Sequence, residues 1–162
     1  MSKIQEFLKN QEKSVMSIVE GKTIIDYLNI NAEESPDYPA LNTPINNEYT
    51  GWDSISWSEY QETVHNLASG LIDIGIQAED NAFIVANNVK EHFISDLGIM
   101  HAGAVPSTIY KQLKSGQIEY ISNLLEAKVA FVGDAELFTE VNKAKDNCPD
   151  MKYCLLYTSP SP

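Results

Sequence analysis

The sequence predicts an α/β fold built on a mostly parallel sheet, and three observations carry that expectation. Short apolar runs alternate with amphipathic stretches of helical period from residue 58 onward, the pattern of consecutive βαβ units. The runs Ala82-Phe83-Ile84-Val85-Ala86 and Val129-Ala130-Phe131-Val132 show no polar alternation, as expected of strands buried on both faces. Gly75 and Gly103 follow two of the amphipathic stretches, where a chain leaving a helix turns left-handed.

Taken in order, residues 1 to 38 are predicted mostly helical and polar, with Ile24, Ile25, Tyr27 and Leu28 as an apolar patch. The run Glu33 to Pro39 stops that helix, because proline bars the residue before it from helical geometry. Extended segments follow around Ala40-Leu41 and from Asp53 to Trp57, joined through Asn46-Asn47 and Gly51 as a hairpin. Ser58 is predicted to cap the next helix, with Gln61 three residues on completing a capping box. Tyr60, Val64, Leu67, Leu71 and Ile74 then recur at 4-3-4-3 spacing and form one face for burial.

After the strand at Ala82–Ala86, Asn88 and Glu91 are predicted to open a helix carrying Phe93, Leu97 and Met100. It leads into a strand over Ala104–Ile109. Ser115 begins a helix with Ile118, Ile121 and Leu125 that feeds the strand Val129–Val132. Asp134 caps a last helix through Leu137, Val141 and Ala144, ended near Pro149.

A chain of 162 residues is long enough for a core that buries roughly 70% of its unfolded surface. Its 23 acidic against 11 basic residues give a net charge of -12, which repels nucleic acid and anionic lipid. Cys148 and Cys154 are the only cysteines, so no disulfide framework or thiolate metal site is expected, and a reducing cytosol fits. No apolar run approaches the ~18 residues a membrane span needs. The opening Ser2-Lys3-Ile4-Gln5-Glu6 is unlike a secretory signal. A cytoplasmic protein is expected, resting on a membrane, if at all, through parts outside this stretch.

Chemistry-bearing motifs are sparse. Gly98 and Gly103 have the glycine spacing of a phosphate loop, but Ala104-Val105 stand where Lys and Ser/Thr are required. Helix packing and a helix stop account for both glycines. His65, His92 and His101 share no metal-ligand spacing. Ser58 and Ser115 serve as caps, and no GxSxG elbow surrounds any serine. Glu33-Glu34 and Glu79-Asp80 are expected in loops on a solvated face. Tyr157-Thr158-Ser159 imitates the start of a phosphate-gripping loop, yet Pro160-Ser161-Pro162 follows with no glycine and two residues lacking an N–H.

The last nine residues, Cys154 to Pro162, match codon by codon the translation of a transposase-type sequencing adapter, TGT CTC TTA TAC ACA TCT CCG AGC CCA. Such a scar stands apart from fold reasoning. The expected organisation is therefore a truncated domain over 1–153 and an adapter-derived tail over 154–162. A sheet cut at Tyr153 lacks a strand, and Leu155-Leu156-Tyr157 are able to fill that edge by chance.

Three stretches, in order, resemble the N-terminal part of AMP-forming long-chain acyl-CoA synthetases of the adenylate-forming superfamily. They are Ile55 to Tyr60 with Leu67 to Leu71, then Leu97 to Pro106, then Thr108 to Lys111 through Gln117–Ile121 to Glu126–Val129. The likeness covers about residues 22 to 153 and points to an incomplete, acyl-CoA synthetase-like adenylation domain. It implies a parent enzyme that joins a fatty acid to coenzyme A through an acyl-AMP, using ATP and Mg²⁺. Carboxylate oxygen leaves poorly until it is bonded to phosphate, and cations neutralise the phosphate charge. The family's phosphate loop, nucleotide contacts, magnesium ligand and hinge lysine all fall beyond this stretch. No catalytic, cofactor-binding or metal residue is therefore assigned, and the matching Tyr60, Leu67, Leu71 and Ala102 are scaffold. The residues alone also leave open a non-catalytic α/β binding or interaction module. Another acid-adenylating enzyme, such as an aryl-CoA ligase or a fatty acyl-AMP ligase, fits as well.

Overall fold

Two helices precede the α/β body in the computed structural model, which describes residues 3–45 and 50–157. They are α1 (Lys3–Val19) and α2 (Ile24–Glu34), separated at Gly21, whose φ of 73° is left-handed. The single polar helix expected over 1 to 38 is thus two. Thr23 starts the second, its hydroxyl accepting from the Asp26 backbone N–H while the Asp26 carboxylate accepts from Thr23 N–H at 2.6 Å. Glu33 and Glu34 end α2 rather than lying in a loop.

Strands β1 (Pro39–Pro44) and β2 (Trp52–Ser56) pair antiparallel as the expected hairpin. Its Asn46-Asn47 turn lies outside the described residues. Trp57 belongs to the next helix, α3 (Trp57–Asp73), not to the strand. The cap is Ser56, not Ser58. Two overlapping capping boxes compete here, and the one ending in a carboxylate wins. The Glu59 carboxylate accepts from Ser56 N–H at 2.8 Å and the Ser56 hydroxyl accepts from Glu59 N–H. An anion in the first turn also suits the helix dipole. Gln61 instead reaches Asn29 on α2 at 2.9 Å. Tyr60, Val64, Ala68 and Leu71 are buried along α3, Leu67 is half-buried, and Ile74 lies at the exposed C-cap.

The remaining elements are β3 (Asn81–Val85), α4 (Lys90–His101), β4 (Val105–Thr108), α5 (Ser115–Leu125), β5 (Val129–Val132), α6 (Ala135–Lys145) and β6 (Tyr153–Leu156). β3 to β6 form a four-stranded sheet in the order β4-β3-β5-β6, with every pairing parallel. Helix α4 is capped by the backbone at Val89 and not by Asn88. Its start is held instead by Lys90, which pairs with Asp53 on β2. Ser115 is the first helical residue of α5 and not its cap, and its N–H donates to the Glu140 carboxylate at 3.1 Å. Asp134 caps α6 as expected, accepting from Leu137 N–H at 2.9 Å. Phe93 points outward, because α4 buries Ser95, Leu97, Gly98 and Ile99. Glu79 takes a left-handed φ of 70° in the tight link to β3.

Side-chain alternation along the strands divides the core in two. Phe83, Val85, Ala130 and Val132 face α5 and α6. Ala82, Ile84, Val129 and Phe131 face α3 and α4. Both faces are covered, which is why the strands read as unbroken apolar runs. A third cluster of Leu28, Tyr60, Val64 and Leu97 packs α2, α3 and α4 beneath the hairpin. β6, made of Tyr153 with Cys154, Leu155 and Leu156, takes the sheet edge beside β5. The position expected to be filled by apolar tail residues is therefore filled. Thr158 to Pro162 lie outside the described residues.

Candidate functional site

Strand order decides where a ligand crevice opens. From β3 the chain crosses through α4 on one face to reach β4. It then returns through α5 on the opposite face to β5, on the other side of β3. The loops leaving β3 and β5 therefore diverge at their carboxyl ends, and such a switch point is where open α/β sheets bind ligands. A crevice of about 470 Å³ lies there, lined by Asn87 after β3, Lys111, Gln112 and Lys114 after β4, and Asp134 and Glu136 after β5.

Polar contacts bridge these loops. The Lys111 ammonium donates to Asn87 Oδ1 at 2.6 Å, and Asn87 Nδ2 donates to Asp134 Oδ2 at 3.4 Å. Asp134 thus caps α6 and orients the crevice floor with the same carboxylate. Gly133 permits the close approach: a Cβ there would sit 2.8 Å from both Cα and Cβ of Ala86. The two lysines place cationic donors at the mouth of a crevice on a strongly acidic chain. No spacing in the sequence announced them, because they meet Asn87 and Asp134 only through the sheet.

A second cavity, about 370 Å³ and nearly all apolar, lies between α3, α4 and the β5–β6 edge. Leu155 and Tyr157 form part of its wall. The Tyr157 hydroxyl donates to the buried Ser95 hydroxyl at 2.7 Å, and burial pushes its phenol up to about 12. Nearby on α4, burial raises the Asp96 carboxyl above the usual carboxylate range.

The histidines split into two environments. His65 and His101 stack between α3 and α4 with centroids 4.5 Å apart, although their sequence spacing gives no sign of it. Burial, then the His65 charge, lowers the pKa of His101. His92 Nε2 lies 3.0 Å from the Thr108 hydroxyl. Among the described residues no three His, Cys, Asp or Glu side chains converge as a metal site. Gly98 serves packing, since a Cβ there would fall 2.5 Å from Leu67 Cδ2, and Gly103 turns left-handed at φ 81°. Both glycines of the apparent phosphate loop are thereby explained. Tyr60, which closes the Ile55–Tyr60 part of the resemblance, donates from its hydroxyl to the Phe93 carbonyl at 3.2 Å, and burial raises its pKa.

A parallel sheet covered on both faces, with its crevice at a β3/β5 switch point, defines a doubly wound α/β domain. The family described as AMP-binding enzyme matches residues 28–161, and the chain belongs to that family. Among curated relatives, the long-chain-fatty-acid–CoA ligase heimdall of Drosophila melanogaster is 28% identical over 145 residues. That match covers 88% of this chain and 21% of the relative. The long-chain-fatty-acid–CoA ligase ACSBG1 of Mus musculus is 26% identical over 111 residues, 68% of this chain and 15% of its own length. The chain thus spans less than a quarter of the length of these relatives.

Solved structures share the fold at lower identity. A putative long-chain-fatty-acid CoA ligase from Rhodopseudomonas palustris superposes with a TM-score of 0.75 at 19% identity. The match covers 89% of this chain and 35% of that one. An anthranilate CoA ligase, AuaEII, in complex with anthranoyl-AMP gives 0.74 at 20% identity, over 82% of this chain and 24% of that one.

Proposed function

We propose that this chain is the N-terminal scaffold of a cytoplasmic, AMP-forming long-chain fatty acid–CoA ligase. The observation that carries the reading is the family match over residues 28–161, joined to relatives named for long-chain fatty acids. The complete enzyme would convert a fatty acid and ATP to acyl-AMP and pyrophosphate. Coenzyme A would then displace AMP to form the thioester. Mg²⁺ would neutralise the phosphate charge. No step of the reaction is assigned to the described residues. Their role is to hold the sheet, and the switch-point crevice with Lys111 and Lys114 is the part open to a phosphate-bearing substrate.

In the same reading the native sequence of this stretch ends at Tyr153, and Cys154 to Pro162 are adapter translation. The 162-residue chain, given ATP, Mg²⁺, palmitate and coenzyme A, is expected to release no pyrophosphate above background. The complete protein, recovered by sequencing past codon 153, is expected to release it only when palmitate is present. Dependence on an aromatic acid instead would redirect the reading to an aryl-CoA ligase. An in-frame stop directly after Pro162 in the native transcript would reduce it to a non-catalytic α/β module.

A further inference from the structure

Two imidazoles meet face to face where α3 packs on α4. The rings of His65, midway along α3, and His101, the last residue of α4, stack with centroids 4.5 Å apart and planes inclined by 14°. His65 is half-buried, and its Nε2 atom is closed off from solvent by this chain itself, with no hydrogen-bond partner. A neutral ring protonated on Nδ1 leaves that nitrogen as an unused acceptor. A charged ring turns it into an N–H donor with nothing to receive it, which costs more.

We propose that His65 and His101 form a proton-sensitive latch between α3 and α4, which holds while at most one ring is charged and loosens when both are. One cation against one neutral ring is tolerated, because a cation is attracted to a π face. Two cations at this separation repel, and the partly buried setting strengthens the repulsion. No carboxylate is placed to offset it. Glu62 lies three residues before His65 on α3, and Asp26, Glu33 and Glu34 lie on α2, which packs against both helices. Glu79 stands in the link whose N–H meets the Gly103 carbonyl, and Asp53 on the hairpin is tied to Lys90. No ion pair among the described residues includes either ring.

The carboxyl end of α4 favours a cation on His101, but burial and the His65 charge outweigh it and lower the His101 pKa. The folded chain therefore takes up this proton less readily than the unfolded one. Stability is complete above the unfolded histidine value of about 6.5 and is lost as pH falls from there toward the lowered His101 value. Asp96, raised by burial, acts in the opposite sense, so a comparison of variants isolates the pair where pH alone does not. A shared metal ion fits the two rings less well. Lone pairs of near-parallel rings run side by side instead of converging on one point, and no third ligand joins them among the described residues.

Urea titration of the 162-residue chain at about pH 7.5 and about pH 5.5 tests this, beside a double variant carrying His65→Gln and His101→Gln. From the higher to the lower pH, the wild-type folding constant is expected to fall about three- to tenfold more than that of the double variant. His92→Gln, outside the pair, should keep the wild-type fall. An equal fall in the wild type and the double variant overturns the proposal. Proton NMR reads the same pair with no substitution. Of the three histidines, the two whose rings show through-space contact are the pair, and they are expected to titrate in two separated steps. Rings that titrate as independent histidines overturn the proposal equally. Neither readout involves a substrate, so the ligase reading stands or falls separately.

Discussion

Gly133 shows how much of the crevice rests on a single missing methyl group. It follows β5 at the point where β3 and β5 separate, with its N–H donating to the Val85 carbonyl at 2.8 Å. A Cβ there meets Ala86 backbone at 2.8 Å, and backbone cannot swing aside as a flexible side chain can. Gly133→Ala is expected to cost roughly 1–3 kcal/mol, read as a lowered midpoint in urea. Gly70→Ala, where nothing lies within 4 Å, should instead stabilise the helix slightly. This pair of glycines also marks a limit on what sequence alone reveals. Gly75 and Gly103 declare themselves by following an amphipathic stretch. Gly133 looks like an ordinary loop residue until the sheet brings residue 86 against it. The same holds for Lys111, Asn87 and Asp134, which belong to three different loops and form a crevice only through strand order.

At the scale of elements, the strands and the order of helices were legible because both obey simple periods. Val129–Val132 appears where its apolar run lies, and the strand beginning at Asn81 is displaced from the expected run by one residue. Helix starts were less legible wherever two caps compete. Ser56 and Ser58 stand two residues apart, each with a partner three residues on, and local pattern does not rank them. Structure ranks them by acceptor strength and by the dipole. Ser56→Ala should cost about 1 kcal/mol, whereas Ser58→Ala should change stability by less than about 0.5 kcal/mol. Thermal melts of the two variants check this, and equal losses would return the cap to Ser58. The division of the N-terminal region into α1 and α2 was hidden for a related reason. Gly21 and Thr23 form a stop and a start so close together that the polar stretch reads as one helix.

For the molecule as a whole, the sheet edge at β6 matters most. Three of its four residues belong to the nine that match an adapter, yet they pair with Ala130, Phe131 and Val132 in register. The Tyr157 N–H extends that ladder to the Val132 carbonyl at 2.9 Å. A parallel edge position asks for backbone groups and apolar side chains, not for a particular sequence. Removing residues 154–162 is expected to bare the β5 edge and part of both core faces. The stability loss should be roughly 2 kcal/mol or more, with faster aggregation. Urea titration and sedimentation velocity measure the two effects. Unchanged stability would mean that the tail adds nothing to the sheet.

The arrangement of the three apolar clusters also sets an order of assembly during synthesis. The cluster under the hairpin draws its buried residues from positions 28 to 97, all of which are synthesised before β5. The two clusters on the sheet need Ala130 and Phe131, so they wait for later translation. The nascent chain can therefore condense its first helices and hairpin vectorially, ahead of the long-range pairing that closes the sheet.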